Sequence, residues 1–520
     1  MKLLLAALAL SVGLRAGQAT LGLPDLVRTA LERNLDLQTV RLAVEAARGD
    51  VEAAQGLFDP QAHLAYEWNR NQENWTLPNG VGVQGDLGAG VPFFPVPGNS
   101  VFNFDALNAL PKFEDSGTWG YDDRRAEILG KTPWSTEYHF SWESQRNDDT
   151  TRRIQPYPEL WNSTLEAGFR QPLLRGRGPA IASAPVRRAG ITLSAAQARA
   201  LEEADQVAAA VERAYALYEL ACADERIAGI SQRALATLQK NQEQNQLGLL
   251  SGIDLVAAER RHVDRQASLV AARQVRKDAQ DALLALAYGA GAPAALAAGE
   301  TPSPEAGPGL TEIPDLPALE SCEARALERR KVLQAAHQDL EALQLDARLA
   351  RDTLRPALDL TGSYRLQGLN NKSDGLTASS QAYAAGVRGW TVGLELTVPL
   401  PGRAARGAVR RAEANVREQE LALQGMEVQV RTQVRSAYRA VQDTRVRLGM
   451  EGKVRELAEA HFTGETERFR LGLTTFFTLQ QVEEEMDQAD LIEAWARYDL
   501  EVAVSAIRQA MGESAETYLH

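Results

Sequence analysis

The sequence predicts a mainly α-helical chain with a small β part, built as two tandem repeats of long coiled helical hairpins joined to amphipathic strands. Three observations predict it. First, one block occurs twice without a gap: residues 30–60, ALERNLDLQTVRLAVEAARGDVEAAQGLFDP, and residues 326–356, ALERRKVLQAAHQDLEALQLDARLARDTLRP, at an offset of 356 − 60 = 296. Second, long stretches almost free of proline carry a seven-residue apolar step. Third, short stretches between them alternate apolar and polar residues. Only two copies exist, each roughly two hundred residues long, so a domain-sized unit has been duplicated rather than a short solenoid repeat.

The chain opens on residues 1–19, MKLLLAALALSVGLRAGQA, where Lys2, an apolar run from Leu3 to Leu14 and the small residues Gly17 and Ala19 read as a secretory signal. No cysteine stands at the cleavage position, so a lipid anchor is not expected. Beyond it no apolar stretch reaches the roughly 18–20 residues of a membrane helix. The nearest, Leu283–Ala298, is broken by Tyr288, Gly289, Gly291 and Pro293. The net charge of −13 becomes −13 − 2 = −15 once Lys2 and Arg15 are removed, and an acidic exported chain is a poor nucleic-acid binder. Two cysteines, Cys222 and Cys322, are too few for a disulfide framework and favour unpaired thiols over a bridge. The six histidines form no ligand-spaced group, so neither a metal nor any other cofactor is expected.

The first repeat spans 20–288 and the second 319–512, with a Pro/Gly-rich linker at 289–318 and a C-terminal tail at 513–520. Each repeat begins with a helix, expected to run about 36 residues, that ends at Pro60 or Pro356. A strand follows. Ala62, Leu64, Tyr66 and Trp68 alternate with polar neighbours in the first repeat, and Leu358, Leu360, Tyr364 and Leu366 do so in the second. The next segment is a modest loop at 370–388 in the second repeat but a long insertion at 70–160 in the first. A second strand comes next: Leu165, Ala167 and Phe169, matched by Val392, Leu394, Leu396 and Val398. The rods then run over 187–246 and 404–470, rich in Ala, Gln, Glu and Arg, which are strong helix formers. Their heptad steps are Val186, Leu193, Ala200, Val207, Ala214, Ala221 and Val409, Val416, Leu423, Val430, Ala437. Sixty such residues make a rod of roughly 90 Å, too long for an ordinary globular domain. Each rod ends at a glycine turn and returns as a shorter helix over 253–288 or 477–511. Two short helices stacked end to end roughly match one long one, which suggests a rod four helices around.

Strands of about nine residues with one apolar face suit an outer-membrane barrel. For any single strand a half-buried soluble sheet is the plainer reading; four of them, each joined to a very long helix in an exported chain, favour the barrel. Four strands cannot close, since closed barrels need about eight, so several chains must share one. The lipid side would then carry Leu64, Tyr66, Leu165, Phe169, Leu360, Tyr364, Leu394 and Leu396, and Trp68, Trp142, Trp161 and Trp390 would form an aromatic girdle at strand ends. Inside the insertion, Tyr138, Phe140 and Trp142 also alternate with polar residues. A fifth crossing would put the next helix on the wrong side of the membrane, so 135–147 reads either as an extension of the wall or as a loop hairpin.

Taken together, these features resemble the TolC-like outer-membrane efflux protein family. The helix ends at Phe58-Asp59-Pro60 and Thr353–Pro356, the runs Q-P-L-L-R-G at 171–176 and V-P-L-P-G at 398–402, and the turns L-G-L-L-S-G-I-D-L at 247–255 and L-G-L-T-T-F-F-T-L at 471–479 carry the resemblance, in duplicated order. It covers nearly all of the mature chain except 70–160. The resemblance implies a homotrimer in the outer membrane of a Gram-negative-type bacterium. Its shared β-barrel would be twelve-stranded, four strands from each chain, above a trimeric α-barrel tunnel extending into the periplasm. It implies that Leu247, Gly248, Leu249 and Ser251, with Leu471, Gly472, Leu473 and Thr475, sit at the periplasmic tip where an adaptor (membrane fusion protein) docks, fed by an inner-membrane pump. It places Asp254 in an acidic pore constriction. Thr478 stands where the second acidic residue is expected, a departure that leaves Phe476 and Phe477 as the alternative narrowing. The function implied is the exit duct of a tripartite efflux or type I secretion system. The competing class is a structural periplasmic coiled-coil or adaptor-like protein without a pore, which leaves the amphipathic strands unexplained. No nucleophile, base and orienting group can be assembled from spacing, so an enzyme is not expected.

Overall fold

The structure is a computed structural model that describes residues 20–76, 114–149, 159–229, 252–291, 301–302, 316–370, 378, 380–381, 384 and 386–518. The expected signal at 1–19, residues 230–251 with the first turn, and most of the linker lie outside the described residues.

Among the described residues, eight long helices follow in chain order, four from each repeat: α1 (Leu23–Arg33), α2 (Leu35–Gln55), α3 (Ala184–Ala228), α4 (Gly252–Tyr288), α5 (Leu319–Arg329), α6 (Lys331–Asp352), α7 (Arg403–Arg470) and α8 (Phe476–Met511). At 68 residues, α7 is about 100 Å long by helix rise. The helices expected to run unbroken to Pro60 and Pro356 are each two helices, broken at Asn34 and Arg330. Asn34 leaves the helical region with φ −60 and ψ 135. Its Oδ1 accepts from the backbone N–H of Asp36 (2.9 Å) and Leu37 (3.2 Å), so it starts α2 as an N-cap.

The chain divides into two compact units: the first comprises the segments up to Val51, Arg188–Leu345 and Ala412–His520, the second Glu52–Arg187 and Asp346–Arg411. Each unit takes segments from both repeats. The repeat boundary is therefore a boundary in sequence and not one in packing.

The first unit is helical. α1 buries Leu23, Leu26, Val27, Ala30 and Leu31, a stripe at helical spacing. The heptad positions Val207 and Ala221 of α3, and Leu423, Val430 and Ala437 of α7, are buried in the same core. Val434 and Val441 join them at alternating steps of four and three, the spacing of a coiled seam. Leu283, Leu284 and Ala287 of α4 and Leu500, Val504 and Ile507 of α8 complete the core. The segment expected as a tail is partly built into it. Tyr518 is buried and its hydroxyl donates to Glu212 Oε1 at 2.8 Å, while the Ala515 N–H donates to Asp205 Oδ1 at 2.8 Å. Cys222 is half-buried, Cys322 is buried, and both are free thiols.

The two repeats solve the same corner differently. Asn34 Nδ2 donates to the Leu286 carbonyl (3.2 Å) near the end of α4. At the equivalent position, Arg330 Nη1 donates to the carbonyls of Gln509 and Ala510 (3.4 Å each) near the end of α8. Arg330 also pairs with Glu202 at 2.9 Å, and Glu202 accepts the Val332 N–H at 3.1 Å, so a carboxylate from α3 caps α6 where Asn34 caps its own helix.

The second unit holds one antiparallel sheet whose strands neighbour one another in chain order: β1 (Gln61–Thr76), β2 (Glu114–Lys131), β3 (Glu137–Asp149), β4 (Glu159–Pro172), β5 (Ala357–Asn370) and β6 (Val387–Thr397). Four strands were expected; among the described residues the sheet has six. Residues 137–147 belong to β3, a strand of this sheet, with 135–136 in the turn before it, and β2, which the sequence reading missed, restores the parity that an isolated fifth strand would have broken. β2 was hidden because charges crowd it: in Tyr121-Asp122-Asp123-Arg124-Arg125-Ala126-Glu127-Ile128, apolar alternation survives only at Ala126 and Ile128.

Candidate functional site

The register of the sheet sorts its residues onto two faces, because successive side chains on a strand point to opposite sides. One row across all six strands reads Ala62, Ile128, Phe140, Ala167, Tyr364, Trp390. The next reads Leu64, Ala126, Trp142, Leu165, Leu366, Arg388. Phe169, Leu360, Leu394 and Leu396 lie on this same face. All eight residues expected to face lipid therefore share one side of the sheet. Leu64 is 80% exposed, Leu394 68% and Leu396 61%, so among the described residues nothing covers these positions of the apolar face.

The opposite face is charged and internally paired. One of its rows reads His63, Glu127, Ser141, Glu166, Arg365. Arg365 Nη2 lies 2.8 Å from Glu166, Arg125 lies 2.7 Å from Asp123, and Lys131 lies 3.4 Å from Glu137. Arg170 pairs with Asp359 across β4 and β5. A wall apolar on one side and charged on the other is what a strand needs to stand between lipid and water.

Toward one end the apolar face gives way to a row of Tyr66, Arg124, Ser144, Ser163 and Gly368, then to one of Trp68, Asp122, Arg146, Trp161 and Asn370. Trp68 and Trp161 thus share a row, and the Arg124 guanidinium lies 5.2 Å from the Trp161 ring centroid. Trp142, by contrast, stands within the apolar face, in the middle of β3, and does not belong to an edge girdle.

The second candidate element is the turn between α7 and α8. The Gly472 N–H donates to the Phe469 carbonyl and the Leu473 N–H to the Arg468 carbonyl, both at 2.9 Å, a helix end that needs the left-handed φ of +75 found at Gly472. Thr475 then caps α8, its Oγ1 accepting from the Thr478 N–H at 3.3 Å. Thr478 is engaged in that cap, its hydroxyl 2.9 Å from that of Thr475. Leu471, Leu473 and Phe477 are 62%, 65% and 73% exposed. Leu247, Gly248, Leu249 and Ser251 lie outside the described residues, whereas Asp254 and Phe476 lie in the first turns of α4 and α8.

Sequence reasoning missed a pair of links between the returning helices. Arg261 of α4 lies 2.9 Å from Glu483 of α8, and one helical turn on, Arg265 pairs with Asp487. Both carboxylates are buried. The available signal was like charges four apart on each helix, of opposite sign on the two. Among the described residues no group of His, Cys, Asp and Glu could hold a metal ion, and no helix is long and apolar enough to cross a membrane.

Residues 324–513 match the sequence profile of the family described as Outer membrane efflux protein. No curated protein matches by sequence. Among solved structures, the outer membrane protein VceC of Vibrio cholerae is similar with a TM-score of 0.61 at 16% identity, over 94% of this chain and 96% of that one. The CmeC outer membrane channel of Campylobacter jejuni is similar with a TM-score of 0.62 at 13% identity, over 95% and 86%. The MtrE outer membrane channel of Neisseria gonorrhoeae, solved in an open state, gives 0.60 at 17%, over 95% and 89%. At such identities the likeness is one of fold. The mostly helical chain with its small antiparallel sheet has the fold of outer-membrane efflux channels, and the resemblance to TolC-like proteins holds in both comparisons.

Proposed function

From a chain whose residues 324–513 carry the outer membrane efflux protein signature, on the fold of TolC-like channels, we propose an outer-membrane exit duct. Three copies close one barrel with their strands and line a periplasmic tunnel with their helices. The duct passes substrates delivered by an inner-membrane pump through a periplasmic adaptor. The observation that supports this most is the two-faced sheet: a continuous exposed apolar face backed by a charged, ion-paired one. A coiled-coil protein without a pore has no use for such a wall.

In this reading the exposed Leu471, Leu473 and Phe477 around Gly472 form an adaptor-docking surface, joined by Leu247, Gly248, Leu249, Ser251 and Thr475. The pore narrows at Asp254, Phe476, Phe477 and Thr478. The Arg261–Glu483 and Arg265–Asp487 links hold the returning helices together and so oppose opening.

The test is Gly472→Arg. A side chain at φ +75 costs about 1–2 kcal/mol locally and places a charge in the turn. The variant should still reach the outer membrane as a trimer yet lose export of whichever compound the neighbouring pump handles. Export at the parental rate would remove the turn from the docking site; loss of the protein from the membrane would show that the turn serves folding instead.

A further inference from the structure

The twelve-stranded barrel implied by the resemblance requires four strands from each chain, and among the described residues the sheet of this chain has six. We infer that β2 and β3 are part of the membrane wall itself, so that three copies close an eighteen-stranded barrel. The inference rests on the proposed three-copy channel and changes its width.

Four observations carry it. First, β2 and β3 are not appended at an edge. They lie between β1 and β4, and the register is continuous from β1 through to β6. Removing them from the wall would leave β1 and β4 without the neighbours they have. Second, they alternate in phase with the rest. Ala126 and Ile128 of β2, with Tyr138, Phe140 and Trp142 of β3, fall on the face of Leu64, Leu165 and Leu394, while Glu127, Ser141 and Glu143 fall on the charged face. Third, packing across the new strands is close. Gly130 stands opposite Tyr138, and a Cβ at Gly130 would come within 2.3 Å of the Tyr138 ring, so the ring lies over the glycine as cross-strand aromatics do in curved sheets. Fourth, the short turn from β2 to β3 is tied to β4. Gln171 Nε2 donates to the Trp134 carbonyl at 3.3 Å, and the Thr136 hydroxyl donates to Gln171 Oε1 at 2.5 Å.

The edges fit closure by further copies. Among the described residues β1 and β6 have no partner on their outer sides, and most of residues 61–70 and of β6 are exposed. Six antiparallel strands place β1 and β6 in opposite directions, so a ring of identical chains pairs the β6 of one with the β1 of the next in antiparallel fashion. An odd number of strands would have forced a parallel seam.

Width follows from geometry. At about 4.8 Å between strands and a tilt of about 40°, twelve strands give a backbone diameter of about 24 Å and eighteen about 36 Å. The backbone ring is then about 1.5 times wider.

Electron cryomicroscopy of the assembly purified from membranes counts the strands directly, with eighteen expected around three chains. Three chains with twelve strands in the wall would overturn the inference and leave the channel reading intact. A monomer without a shared barrel would overturn both. Labelling gives a second measure. In the assembled protein, His139→Cys and Ser141→Cys should react with a membrane-impermeant maleimide at least about five times faster than Phe140→Cys and Trp142→Cys. Equal rates at all four positions would place β3 outside the wall.

Discussion

The two repeats differ most where they are least alike in sequence. The helical parts correspond one to one, α1 with α5, α2 with α6, α3 with α7 and α4 with α8. The sheet parts do not: among the described residues the first repeat supplies β1 to β4 and the second β5 and β6. The helices pack in a shared core at fixed heptad positions, so adding or removing residues there would shift every later apolar position off the seam. A sheet carries no such constraint, even in its interior. A hairpin adds two strands at once and returns the chain on the side from which it left. Duplication has therefore held the helical frame constant and left the sheet free to widen in one copy.

That contrast can be broken first at the wall. Leu394→Asp or Leu396→Asp puts a charge on the exposed apolar face, at about 2–4 kcal/mol near a bilayer midplane, and should abolish assembly in the membrane. Thr397→Asp, on the charged face with Asp359 and Glu395, should assemble normally. Heat-modifiable trimers in the membrane fraction report the result, and equal assembly of all three would show the face assignment to be wrong.

The helical frame gives a sharper comparison, because its two corners do one task with different residues. Arg330→Ala leaves Glu202 buried without its partner and should cost roughly 3 kcal/mol. Asn34→Ala removes a cap and should cost about 1 kcal/mol. Denaturant unfolding followed by circular dichroism ranks the two, and a larger loss at Asn34 would invert the argument.

A smaller effect should come from Glu501. Burial, with the neighbouring carboxyl of Glu219, pushes Glu501 up to about 8 from an ordinary value of 4.5. Because the folded chain holds a proton that the unfolded chain releases, the contribution is fully present below about pH 4.5 and is lost as pH rises through 8. Glu501→Gln should therefore lose less stability than the parent between pH 5 and 8, by at least about 1.4 kcal/mol. Parallel pH profiles for the two proteins would contradict this.

Much of this architecture was legible before the coordinates. The block repeat gave the pairing of helices, and the returning helices lie at 252–288 and 476–511, within a residue of their expected starts. The heptad residues Leu423, Val430 and Ala437 are buried as a coiled seam requires. What was not legible depended on partners distant in sequence. The break at Asn34 is set by a carbonyl at Leu286, and β2 is recognisable as a strand only once β1 and β3 flank it. Arg261 and Arg265 find their partners, Glu483 and Asp487, only across the packed α4 and α8.

The central claim is that this chain is one part of a barrel it cannot close alone, and the mass of the membrane-extracted assembly tests it most directly. Native mass spectrometry of detergent-extracted protein should find three chains, with the β signal of the sheet lost when the assembly is dissociated. A stable single chain that keeps its full β content in detergent would contradict the account.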